Sequence, residues 1–148
     1  MWHTEYQDPE AAIRRSLKRL GLKYVDMYLV HWPNNGFSAP TVPMHILWPR
    51  IEALQHKGLT NSIGVSNFNV QFLADMLTYC KIKPACNQIE IHPKLAQMDL
   101  IRFLKDKGIV PVAYSPLGRG HLLADGAKNI VDDDLILSLA AKYGKEPT

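Results

Sequence analysis

Four places in this 148-residue chain put side chains capable of chemistry directly after short runs rich in Val, Ile or Leu: His31-Trp32-Pro33, Ser66-Asn67, Asn87-Gln88 and Tyr114-Ser115. An imidazole, hydroxyls, primary amides and aromatic faces form a set that can hydrogen-bond to a ligand and stack on it. An apolar strand has no structural need of them. Each also has a plainer reading. An isolated His after a strand is more often structural, Asn and Gln at strand ends bridge loops, Tyr114 can fill a core, and Ser115-Pro116 can simply turn the chain. Metal chemistry is not expected, because His3, His45, His56, His92 and His121 show no ligand spacing, and Cys80 and Cys86 form neither a metal-spaced nor a redox pair. The Asp132-Asp133-Asp134 run precedes an apolar helical pattern and reads as helix-start charge.

Positioning these residues requires strands that all end on one rim. Helical spacing is found near 9–20, 46–57, 69–80, 95–107 and 132–143, and strands are expected near 25–31, 62–67, 85–91 and 110–115. Strict alternation of helix and strand without hairpin turns predicts a parallel sheet with crossover helices, whose strand carboxyl ends carry the site. Leu20-Gly21-Leu22, Lys57-Gly58-Leu59, Lys107-Gly108-Ile109 and Tyr143-Gly144-Lys145 each place Gly just past a helix. This is the signature of a left-handed cap. Asp8-Pro9-Glu10 marks a helix start, with Asp8 as cap and Pro9 in the first turn. The stretch from Pro33 to Pro43 is expected to be a long loop leaving the rim at His31.

Composition places the chain among globular proteins, with 47% apolar and 21% charged residues. The formal charge of +3, without a clustered basic stripe, gives no case for nucleic acid. The absence of a long apolar run and of a leader gives none for a membrane, so a cytoplasmic setting is expected. Nothing divides residues 1–148 into two domains. The polar segment Met1 to Tyr6 is too short for a complete strand, and the last Gly cap is followed by only four residues. One incomplete domain, truncated at both ends, is therefore expected.

In order and spacing, His31-Trp32-Pro33 after Tyr28-Leu29-Val30, Gly64-Val65-Ser66-Asn67-Phe68, Asn87-Gln88-Ile89-Glu90 with His92-Pro93, and Ala113-Tyr114-Ser115-Pro116-Leu117-Gly118 resemble the aldo-keto reductases. The resemblance implies an α/β fold, a (β/α)8 TIM barrel, of which this chain supplies about four parallel strands. It also implies NADP(H) bound without a Gly-x-Gly-x-x-Gly motif, and none is present. His31 resembles the histidine that orients a substrate carbonyl. Ser66, Asn67 and Gln88 resemble the side chains that hold the nicotinamide carboxamide, and Tyr114 the ring on which the nicotinamide stacks. Ser115, Leu117 and Gly118 resemble the loop along the pyrophosphate, and Trp32 and Trp2 the aromatic lining of the substrate pocket. Asn61 departs from a position that is basic in many members.

The family's catalytic Asp, Tyr and Lys have no counterpart in these 148 residues, so the chain alone is expected to be inactive as a reductase of aldehydes or ketones. The alternatives are a non-enzymatic cofactor-binding or interaction module and a truncated product without function. Strands near 25–31 and 110–115 are expected at the sheet edges, where Val25, Met27, Leu29, Val110 and Val112 would favour self-association.

Overall fold

Asp8 opens the first helix as expected. Its carboxylate accepts the Ala11 N–H at 2.9 Å, and α1 runs Pro9–Leu20. A computed structural model describes residues 1–2, 5–34, 42–118 and 129–148. Most of the loop expected from Pro33 to Pro43 lies outside these residues, as do His3 and His121. The elements that follow are β1 (Val25–Val30), α2 (Met44–His56), β2 (Thr60–Ser66), α3 (Val70–Tyr79), β3 (Cys86–Glu90), α4 (Met98–Asp106) and β4 (Val110–Tyr114). A short 3₁₀ turn, Ile130–Asp132, then leads into α5 (Asp134–Tyr143), for which Asp133 is the cap. The expected acidic helix start is thus an N-cap with its carboxylate on the Leu135 N–H.

The four glycine caps all form. Gly21, Gly58, Gly108 and Gly144 have φ between 59° and 69°. Each repeats one pair of bonds, with the Gly N–H on the carbonyl three residues back and the next N–H on the carbonyl five back, as in Leu22 to Leu17, Leu59 to Leu54, Ile109 to Leu104 and Lys145 to Ala140. At Leu59–Leu54 and Ile109–Leu104 both side chains are buried, which adds the apolar contact that accompanies such a cap. After Gly21, Gly58 and Gly108 these local stops turn the chain back into a strand, β1, β2 and β4 respectively.

The sheet order is β1-β2-β3-β4, with β1 and β4 at its ends. Pairing is parallel, running from Val25 opposite Thr60 to Val30 opposite Val65, then from Val65 opposite Asn87 to Ser66 opposite Gln88. The chain packs as two units, one of Met1–Ile89 with Met98–Val112, the other of Glu90–Gln97 with Ala113–Thr148.

In the first unit one sheet face, with Tyr28, Val30, Ile63, Val65 and Ile89, is buried with Ala12, Ile13, Leu47, Trp48, Ile51, Leu54, Leu73 and Met76 from the helices. Fully burying each large aliphatic contributes about 1.5–3 kcal/mol, enough to hold α2 helical despite Pro49 inside it. A buried carboxylate adds a specific tie. Glu52 on α2 is 4% exposed and accepts the N–H groups of Lys81 and Ile82 at 2.7 and 2.8 Å, while Trp48 Nε1 donates to the Ile82 carbonyl. The turn between α3 and β3 is thereby fastened to α2.

On the other face, register places Met27 beside Ser62 and Leu29 beside Gly64. A Cβ on Gly64 would stand 2.8 Å from Cys86 Sγ and 2.9 Å from Leu29 Cδ2, so only glycine admits both side chains over β2. Met27 is 38% exposed and Val110 59%. In the second unit, Ile91 N–H reaches the Tyr114 carbonyl, His92 and Leu95 form an antiparallel bridge, and Lys94 pairs with Asp133 at 2.9 Å.

Candidate functional site

The last paired residues, Val30, Val65, Ser66 and Gln88, sit immediately before or within the candidate residues of the first unit. Where the ladder stops, side chains continue the stitching. Asn67 is in the left-handed region at φ 62°, which turns its backbone N–H onto the Gln88 carbonyl at 2.9 Å. The same turn lets its amide Nδ2 donate to the His31 carbonyl at 2.8 Å and to Ser66 Oγ at 3.1 Å. Asn tolerates this conformation better than other non-glycine residues because its short polar side chain bonds locally. Ser66, 5% exposed, donates its hydroxyl proton to the Gln88 carbonyl at 2.7 Å. One residue thus ties the ends of β1, β2 and β3.

Behind this row stands Asn87, which is fully buried. Its Oδ1 accepts the Phe68 N–H at 3.3 Å and its Nδ2 donates to the Phe68 carbonyl at 2.8 Å, so a side-chain amide pairs with a backbone residue on both groups. Asn69 then caps α3 through the Phe72 N–H. The segment carrying Ser66 and Asn67 is anchored on both sides.

His31 lies within an aromatic cluster. Its ring meets Trp2 edge-on, with centroids 4.5 Å apart and planes at 80°, and lies parallel to Trp32 at 5.8 Å and 2°. Both tryptophans are about half exposed, at 50% and 42%. Tyr6, whose role composition and spacing left unassigned, is 1% exposed and bonds Trp32 twice. Its hydroxyl donates to the Trp32 carbonyl at 2.6 Å and accepts the Trp32 N–H at 3.0 Å. Burial pushes the Tyr6 phenol up to about 12, against the opposing pull of its bond to Trp32. No local pattern marks Tyr6, because its partner is 26 residues away.

The outer edge of β1 is covered at this end. The Met1 nitrogen donates to the Leu29 carbonyl at 2.7 Å, and the His31 N–H reaches the Met1 carbonyl at 3.2 Å. The edge expected to be open beside Val25, Met27 and Leu29 is therefore bonded from Leu29 through Trp32.

In the second unit, Tyr114 ends β4 and Ser115 takes φ 49°. The Gly118 N–H closes a turn on the Ser115 carbonyl at 2.8 Å. Gly118, at φ 74°, lies under Ile130, whose Cδ1 would be 2.8 Å from an added Cβ. Leu117 is 46% exposed. The two groups of candidates, Trp2, His31, Trp32, Ser66, Asn67 and Gln88 in the first unit and Tyr114, Ser115, Leu117 and Gly118 in the second, are each organised within their own unit. Among the described residues no cluster of His, Cys, Asp or Glu could hold a metal ion, and no helix is long and apolar enough to cross a membrane.

A parallel α/β sheet with such strand ends is one arc of a (β/α)8 architecture, and comparison with known proteins names the family. The chain belongs to the aldo/keto reductase family, whose model matches residues 2–134. It is 39% identical to the aldehyde reductase YPR1 of Saccharomyces cerevisiae over 99% of this chain and 53% of that protein. It is 42% identical to aldose reductase B of Dictyostelium discoideum over 88% of this chain and 46% of that one. A crystal structure of an aldo-keto reductase, AKR2E5, complexed with NADPH superposes with a TM-score of 0.88 at 35% identity, covering 99% of this chain and 47% of that chain. The chain thus spans about half the length of the relatives it matches.

Proposed function

We propose that this chain forms part of a single (β/α)8 barrel domain of an NADP(H)-dependent reductase acting on a small aldehyde or ketone. The observation that carries the reading is the rim of the first unit, where the His31 imidazole stands between Trp2 and Trp32 beside the linked Ser66, Asn67 and Gln88. The donor chemistry fits the cofactor. Primary amides and a hydroxyl complement a carboxamide, which both donates and accepts. When bound, NADPH supplies a hydride from C4 of its nicotinamide.

The residues then divide the work. His31 hydrogen-bonds the substrate carbonyl oxygen and orients it, a task a neutral imidazole performs. Asn67, Gln88 and the oxygen of Ser66 hold the carboxamide; the Ser66 proton is already given to the Gln88 carbonyl, so Ser66 serves as an acceptor. Tyr114 presents the stacking face, the turn from Ser115 through Leu117 to Gly118 follows the pyrophosphate, and Trp2 and Trp32 line the carbonyl pocket and exclude water. The NADPH bound in the structure of AKR2E5, to which this chain is 35% identical, supports the cofactor. Free thiols at Cys80 and Cys86 support a cytoplasmic setting. We also propose self-association through the remaining β1 edge, Val25–Tyr28, and through β4.

Calorimetric titration of the chain with NADPH and NADH tests the cofactor reading. Weak binding of both is expected, with little preference between them and loss of heat in Tyr114→Ala. Absence of binding, or binding indifferent to Tyr114→Ala, refutes it. Light scattering during size-exclusion chromatography is expected to show a dimer or larger species; a stable monomer refutes the association.

A further inference from the structure

We propose that Tyr6 is a positioning residue which, by bracketing the backbone of Trp32, fixes how His31 and Trp32 face the substrate. The inference rests on the reading of His31 and Trp32 as carbonyl-facing groups. A single buried hydroxyl both donates to the Trp32 carbonyl at 2.6 Å and accepts its N–H at 3.0 Å. Past the end of the β1 ladder at Val30, Trp32 lacks a strand partner, and the phenol takes that place. Of the ordinary side chains that pack as a large ring, only Tyr offers a donor and an acceptor on one atom.

The neighbouring bonds show why this matters for His31. Its N–H is held by the Met1 carbonyl at 3.2 Å and its carbonyl by Asn67 Nδ2 at 2.8 Å. With the backbone pinned at both groups, the ring's remaining freedom is rotation, and that is bounded by Trp2 and by the parallel ring of Trp32. Trp32 can bound it only if its own backbone is fixed. Tyr6 supplies that fixation from the segment before α1. Packed protein groups stay within a productive geometry when such supporting bonds lock them.

The test is nuclear magnetic resonance on the 148-residue chain, comparing the native protein with Tyr6→Phe and with Tyr28→Phe. Tyr28 is a control on β1 whose buried hydroxyl has no hydrogen-bond partner among the described residues. In Tyr6→Phe the Trp32 amide should exchange about tenfold faster, as for loss of one buried hydrogen bond, while Val30 and Val65 keep their protection. The His31 ring proton resonances should shift, and NADPH affinity should stay within about twofold because the cofactor's contacts lie elsewhere. Tyr28→Phe should leave the His31 resonances in place. Unmoved His31 resonances in Tyr6→Phe, or exchange that rises equally at Val30 and Val65, would overturn the proposal. Should Tyr6→Phe fail to fold, the native chain decides: a Trp32 amide exchanging as fast as one bonded to solvent overturns the clamp, and a protected one supports it. Failure of the native chain to bind NADPH would overturn the cofactor reading and leave these signals untouched.

Discussion

Replacing Asn67 separates two causes that a single substitution would confound. At φ 62° the backbone is in a region that costs a non-glycine residue about 1–2 kcal/mol. The side chain offsets that cost through its bonds to the His31 carbonyl at 2.8 Å and Ser66 Oγ at 3.1 Å, each contributing about 0.5–1.5 kcal/mol net. Asn67→Gly loses the bonds but removes the backbone penalty, so a net loss of about 1 kcal/mol is expected. Asn67→Ala loses the bonds and keeps the penalty that the native residue already carries, for about 1–3 kcal/mol. Gly should therefore be more stable than Ala by about 1–2 kcal/mol, the reverse of their order inside a regular element. Asn67→Asp keeps the shape but sets a carboxylate against the His31 carbonyl, and it should also fall below Gly. Urea unfolding with an unchanged slope reads the order directly from the midpoints. An Ala variant equal to or more stable than Gly would refute the claim that this strand end is held by an asparagine in the left-handed region.

Three further outcomes are expected. Gly64→Ala should cost about 1–3 kcal/mol by overpacking, read from the urea midpoint, and part of the loss should return when Cys86→Ala removes the sulfur 2.8 Å from the new methyl. Glu52→Ala should cost about 2–4 kcal/mol, because two backbone N–H groups lose their charged acceptor, whereas Glu52→Gln, which keeps one acceptor oxygen, should recover much of it in thermal denaturation. Tyr6 titrates near 12 when folded and near 10 when unfolded, so its contribution is complete below about pH 10 and is lost as pH rises through 12; alkaline unfolding monitored by circular dichroism should lose part of its pH dependence in Tyr6→Phe, and an unchanged profile would contradict the burial of this phenol.

What the residues alone determined is the part of the molecule written in short-range physics. Gly21, Gly58, Gly108 and Gly144 announce helix ends because a left-handed residue is a local requirement, and all four adopt it. Asp8 and Asp133 cap helices through bonds spanning only two or three residues. The alternation they punctuate implies parallel strands, and the polar residues at Ser66, Asn67 and Gln88 stand out because apolar runs have no use for them. Even there the boundaries moved: α4 begins at Met98, not near 95, because Leu95 bridges back to His92 and Gln97 turns at φ 47°.

The tertiary structure decided which atoms of those residues are already committed. That Ser66 spends its proton on Gln88, that Asn67 reaches across to His31, and that Asn87 pairs with the Phe68 backbone depend on register between strands some 20 to 36 residues apart. Periodicity marks which face a residue occupies but not which carbonyl lies opposite it. Tyr6 and Glu52 make the same point. One sits in a polar segment and the other is a carboxylate on a helix, and residue type marks both as surface. Each is buried because a distant stretch of backbone, at Trp32 or at Lys81 and Ile82, ended without partners and folded onto the one side chain able to satisfy it.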